Sequence, residues 1–211
     1  MQPINVSVGP LAAANDAAIA ASQNPAGAGD LTLTASVVTL DTPRRVIITS
    51  ASDDSALVFT VYGTTFSGQT ISEAIAGANA GVASSTLDFA TVTRVSVSGN
   101  AGSVKVGTNT VAGSRWVRLD SWANAETAIQ CNASGTVNYT VQVTMDDPND
   151  PVNPVTSSQV TWLNTNDADA VTAVGDVFTN FQFTPTYARV VLNSGSGSVS
   201  STFAQFNVVN K

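Results

Sequence analysis

RVVLNSGSGSV (Arg189–Val199) reads in isolation as a Gly/Ser linker, but the chain writes it twice. RVSVSGNAGSV (Arg94–Val104) aligns with it without a gap, with Arg-Val at the start and Gly-Ser-Val at the end. A linker has no reason to keep β-branched residues at fixed offsets. Two strands joined by a tight Gly/Ser turn do, because valine suits a pleated surface and glycine supplies turn geometry. The stretch is therefore read as a β-hairpin that closes the second of two copies of one domain.

Reading outward, period 2 dominates over period 3.6. RRVIITS follows Pro43 and is β-branched, and ALVFTVYG alternates Leu57, Phe59 and Val61 against Val58, Thr60 and Tyr62. SASDDS marks a turn between them, read as a hairpin turn at Asp53–Asp54, and Ser67-Gly68 marks another in TTFSGQTISEAIAG. DLTLTASVVTL (Asp30–Leu40) alternates at its start. The second half repeats the order. TAIQCNASGTVNYTVQV parallels RVIITSASDDSALVFTV, with Val137, Tyr139 and Val141 in the places of Leu57, Phe59 and Val61. An insertion, TMDDPNDPVNPVTSSQ, follows, and its prolines make it a loop.

These patterns predict an all-β protein of two tandem β-sandwich domains, immunoglobulin-like or jelly-roll-like, with an N-terminal arm. The expected boundaries are an arm over 1–29, a first domain over 30–112, a connector over 113–123 and a second domain over 124–211. Ala-rich LAAANDAAIAAS is expected to form two or three helical turns within an arm that orders against a neighbouring subunit. The aromatic connector AGSRWVRLDSWAN is expected to be pinned by packing rather than to flex. The candidate interface residues are Pro3, Ile4, Val6, Leu11 and Ile19 of the arm and Trp116 and Trp122 of the connector.

Composition excludes several chemistries. Of 211 residues only 11% are charged, the net charge is −7, and Lys105 and Lys211 are the only lysines. Without a basic stripe, phosphate neutralisation fails and nucleic-acid binding is not expected. No run of about 18 apolar residues exists, so no membrane-spanning helix is expected, and the absence of a cationic leading segment argues against a signal peptide. Histidine is absent, which removes His-dependent triads, Cys-His dyads and His-ligated metal sites. Cys131 stands alone in an alternating stretch and reads as a small core residue. Asp146, Asp147 and Asp150 cluster in MDDPNDP. They are a calcium candidate by ligand type, yet they lack the D-x-D-x-D-G order, and Asp before Pro is ordinary turn chemistry. No catalytic residue, cofactor or metal is assigned, and an enzyme is not expected.

PRRVIITSASDDSALVFTVYGTTFSGQTISEAIAGANAGVASSTLDFATVTRVSVSGNAGSVKVGTN (Pro43–Asn109) resembles the β-domains of small virion structural proteins of tailed bacteriophages. PTYARVVLNSGSGSVSSTFAQ (Pro185–Gln205) is similar to the closing strands of the same kind of domain. The resemblance implies a capsid decoration (cement) protein that stabilises the head by protein–protein contacts. Its partners would be the major capsid protein or other virion proteins and further copies of itself. It implies assembly in the bacterial host cytoplasm and a place in the virion, and it carries over no site residue. A tail, neck or fibre-associated role is the alternative. A carbohydrate or host-receptor-binding module is the alternative of a different class, requiring clustered exposed aromatics or paired carboxylates in a cleft.

Overall fold

A computed structural model describes residues 3–119, 126–181 and 183–206. They form the strands β1 (Ile4–Val8), β2 (Asn15–Gln23), β3 (Gly29–Asp30), β4 (Val38–Ser50), β5 (Val58–Thr64), β6 (Thr70–Ala76), β7 (Val82–Val97) and β8 (Val104–Gly113). The later strands are β9 (Val117–Arg118), β10 (Glu126–Ser134), β11 (Val137–Thr144), β12 (Leu163–Asn164), β13 (Val177–Phe181), β14 (Tyr187–Gly195) and β15 (Ser198–Phe206). A single 3-10 turn, Ala168–Ala170, is the only helical element among the described residues. The protein is all-β.

Two compact units emerge, Ala12–Thr110 and a discontinuous unit of Met1–Leu11 with Val111–Lys211. In the discontinuous unit, β1, β15, β10 and β13 lie side by side in one antiparallel sheet. A second sheet holds β12, β11 and β14, and β14 also pairs with β9 and with residues 112–113 of β8. Val6, Val8, Ile129, Cys131, Val199 and Phe203 from the first sheet share one core with Val137, Tyr139, Val141, Val190 and Leu192 from the second. The alternation of each strand puts these residues inward. Each fully buried aliphatic or aromatic side chain contributes about 1.5–3 kcal/mol.

In Ala12–Thr110 the long β7 changes partner along its length. Its first part pairs with β4, matching Ile48 to Ala83 and Arg45 to Asp88, and its last part pairs with β5, matching Val61 to Val95 and Phe59 to Val97. β6 lies beyond β5, β8 beyond β4, and β2 on β8. Phe59, Val61, Ile48, Phe89, Val95, Val104, Val106 and Ile19 form the core. β4 continues through Pro43 instead of beginning after it, because the register shifts between Thr39 and Arg44 and spares the proline a ladder bond.

Each unit carries the same pairing scheme. The order β1-β15-β10-β13 of one matches β2-β8-β4 and the first part of β7 in the other. The order β12-β11-β14 matches β6-β5 and the last part of β7. The duplicated motif is thereby explained, and the hairpin reading of it is corrected. β14 and β15 belong to different sheets, and β7 and β8 are separated by β4, so neither copy is a hairpin. Both are arches that carry the chain from one layer of pairing to another. Asp53–Asp54 is likewise an arch between β4 and β5, not a hairpin turn. The Ser67-Gly68 turn, by contrast, joins paired strands, β5 and β6.

The arches occur in stacked pairs, which is why they need glycine. Gly197 donates to the Thr136 carbonyl at 2.9 Å, fastening the β14–β15 arch to the β10–β11 arch. A Cβ on Gly197 would overlap the Ser134 carbonyl oxygen. In the other unit Ala51 donates to the Ser103 carbonyl at 2.9 Å and Gly102 to Asp54 Oδ1 at 3.1 Å.

Within the expected arm, the strands Ile4–Val8 and Asn15–Gln23 pair with the two units rather than standing apart. β1 completes a sheet in one unit, and β2 lies on β8 in the other. The two or three helical turns expected within residues 11–22 are corrected: Asn15–Gln23 is a strand and residues 11–14 are irregular. Alanine's helix preference is worth only tenths of a kcal/mol per residue, whereas pairing with β8 buries Ile19 and Ala20 completely.

Candidate functional site

The insertion between β11 and β12 spends its carboxylates on its own architecture. Asp146 Oδ2 accepts the Thr161 N–H at 2.7 Å. Asp147 accepts Arg118 Nη2 at 2.9 Å, the Tyr187 hydroxyl at 3.2 Å and the Asn149 N–H at 2.8 Å. Asp150 caps Val152 and Asn153 at 2.8 and 2.9 Å, and these backbone bonds hold its carboxyl below the usual range. The calcium candidate Asp146, Asp147 and Asp150 is therefore corrected. The three do not converge, and among the described residues no group of three His, Cys, Asp or Glu side chains could hold a metal.

Trp116 of the connector serves the same loop. Trp116 meets Trp162 edge-on at 5.1 Å and Tyr187 at 6.0 Å, and the Arg189 guanidinium lies 4.3 Å from the Trp162 ring centre. These contacts pin the insertion to β14 and occupy the faces of Trp116 and Trp162. Cys131 is buried, its thiol pushed up by desolvation and contacted by the Ser201 hydroxyl at 3.3 Å, so it is an inert core residue.

The candidate interface residues divide. Pro3 is exposed and Ile4 is 38% exposed on β1. Val6 and Ile19 are buried in the cores of their own units and Leu11 packs against one, so these three are corrected from interface to interior. Trp116 is half-buried within its own unit, and Trp122 lies outside the described residues.

Sequence reading missed the side chains that do face solvent. Phe178 on β13 is 78% exposed and Leu163 on β12 is 65% exposed, each on a strand at the edge of its sheet. Val174, Val152 and Met145 are exposed in nearby stretches of chain. The signal was present in VFTNFQF. Val177, Thr179 and Phe181 take the inward face, which leaves Phe178 as an apolar residue on the polar face.

Beside β13 lies a hollow of about 270 Å³ lined by Val143, Thr165, Asn166, Asp167, Ala168, Thr179, Asn180, Phe181 and Phe183. Asp167 Oδ1 accepts the Asp169 N–H at 2.9 Å and Oδ2 accepts the Thr179 hydroxyl. The Thr179 bond, and then the Asp169 bond, hold this carboxyl below its ordinary value and keep it ionised at neutral pH. Asn166 and Asn180 are exposed, Phe183 is 45% exposed, and Phe181 is buried. No family model, curated protein or solved structure matches the chain.

Proposed function

We propose that the protein is a non-enzymatic assembly subunit, a structural component of a bacteriophage virion, and that it decorates and stabilises the capsid by protein–protein contacts. The observation that carries the assembly reading is the pair of sheet edges bearing Phe178 and Leu163. An edge strand presents unpaired backbone groups, and a large exposed apolar side chain on it invites association unless a partner covers it. Strand addition at such an edge supplies backbone hydrogen bonds, and side chains such as Phe178 supply anchors. The low charge favours the same reading, because a neutral Ser/Thr/Ala surface loses little hydration when covered. The virion reading is supported by the resemblance of Pro43–Asn109 and Pro185–Gln205, and the acidic balance suits an outer surface away from packaged nucleic acid.

Quantitative mass spectrometry of purified particles from the source of this chain tests the reading. A copy number on the scale of the capsid lattice supports decoration. A copy number of one ring moves the protein to the neck or tail, and its absence from particles overturns the virion reading.

A further inference from the structure

The hollow beside β13 combines a fixed ionised carboxylate, two uncommitted amides and an exposed aromatic ring. We propose that it binds a single neutral sugar ring, with ligand hydroxyls on Asp167, Asn166 and Asn180 and an apolar ring face on Phe183. This proposal is independent of the assembly reading and concerns a different group of side chains.

Size comes first. About 270 Å³ is just under the roughly 300 Å³ at which small-ligand pockets begin. One ring fits, and a folded peptide does not. Chemistry comes next. A carboxylate offers about four acceptor positions. Asp169 and Thr179 occupy one on each oxygen of Asp167, which fixes the group's orientation and leaves acceptors for ligand hydroxyls. The amides of Asn166 and Asn180 each both donate and accept, and neither side chain is hydrogen-bonded to other described residues. A ligand matched to this set carries many groups that donate and accept at once, as adjacent hydroxyls do.

Charge narrows the class. Asp167 is the one charged residue among the lining side chains, and no cation stands there, so anionic sugars and phosphates are repelled. A calcium ion takes about 6–8 oxygens, usually with several carboxylates, and one carboxylate does not make that cage. Phe183 supplies what water alone would not reward. Its ring is 45% exposed at the rim of a polar hollow, where it can cover the apolar face of a bound ring.

Saturation-transfer NMR on the full chain tests the proposal, with free glucose, galactose, mannose, N-acetylglucosamine and N-acetylgalactosamine as probes and glucuronate as the anionic comparison. At least one neutral sugar is expected to receive transfer, with half-saturation at roughly millimolar concentration. Phe183→Ala and Asn180→Ala, both at exposed positions, are each expected to weaken that sugar at least about tenfold. Transfer to none of the neutral sugars, equal transfer in both variants, or a preference for glucuronate overturns the proposal.

Discussion

Gly197 sits where a side chain has no room. A Cβ there would lie 2.1 Å from the Ser134 carbonyl oxygen, and backbone cannot swing aside as a flexible side chain can. Gly197→Ala is expected to destabilise the protein by more than about 2 kcal/mol in urea denaturation. Gly27→Ala, which meets nothing within 4 Å, is the control and is expected to stay within about 0.5 kcal/mol of the parent. A second residue-scale case is Arg44, 2% exposed and held by Asp41 at 3.1 Å and by the Asn109 carbonyl. Burial pushes the Asp41 carboxyl up, while the Ala12 N–H and the Arg44 guanidinium together pull it down further, so its net shift is downward. A carboxyl lowered in the folded state stabilises the fold above its unfolded value of about 3.9 and loses that contribution as pH falls through the folded value. Asp41→Asn is therefore expected to flatten the acid limb of stability below about pH 4. At neutral pH its cost should be below the about 3–5 kcal/mol of breaking a fully buried pair, because Asp41 is one-third exposed and Arg44 keeps the Asn109 carbonyl.

At the scale of elements, β1 changes the expectation for the first residues most. Ile4 faces Phe203 and Val8 faces Val199 across a continuous register, and Val6 and Val8 enter the core. The amides of β1 that bond β15 are expected to show slow hydrogen exchange in the isolated subunit. Fast exchange throughout Ile4–Val8 would contradict the pairing. β13 and β12 are expected to govern self-association. Phe178→Lys should shift sedimentation of a concentrated sample towards the monomer, since an edge lysine blocks strand addition. Much of this was legible beforehand. The strands around Phe59 and Tyr139, the Ser67-Gly68 turn and the proline loop all follow from period and turn chemistry. Strand partners were not legible. A short Gly/Ser connection looks the same whether its strands pair with each other or with others, and contacts with the distant Thr136 and Ser134 backbone come with the second case. The Ala-rich segment misled for a related reason, because local propensity is silent about a waiting neighbour such as β8.

At the scale of the chain, the two copies differ in how they are drawn from the sequence. Ala12–Thr110 is continuous and holds its own core, whereas the other unit needs Met1–Leu11 as well as Val111–Lys211. A fragment of 12–110 is expected to fold cooperatively by thermal denaturation. A fragment of 111–211 is expected to be markedly less stable than a version with residues 1–11 joined to its far end, because it leaves one edge of β15 bare. The candidate site was the least legible part. Asp167, Thr179, Asn180 and Phe183 come from a 3-10 turn's cap, a strand and a loop, and none belongs to a spaced motif that a sequence could announce. The pairing of β1 with β15 also has a consequence in time. The ribosome makes β1 before its partner, which emerges roughly 190 residues later, and at about 5–20 residues per second that is a wait of roughly 10–40 seconds. The intervening unit has every partner it needs within Ala12–Thr110, so it can finish during that wait while β1 stays unpaired. A host chaperone that shields short apolar strands would have its longest opportunity on this chain at INVSV.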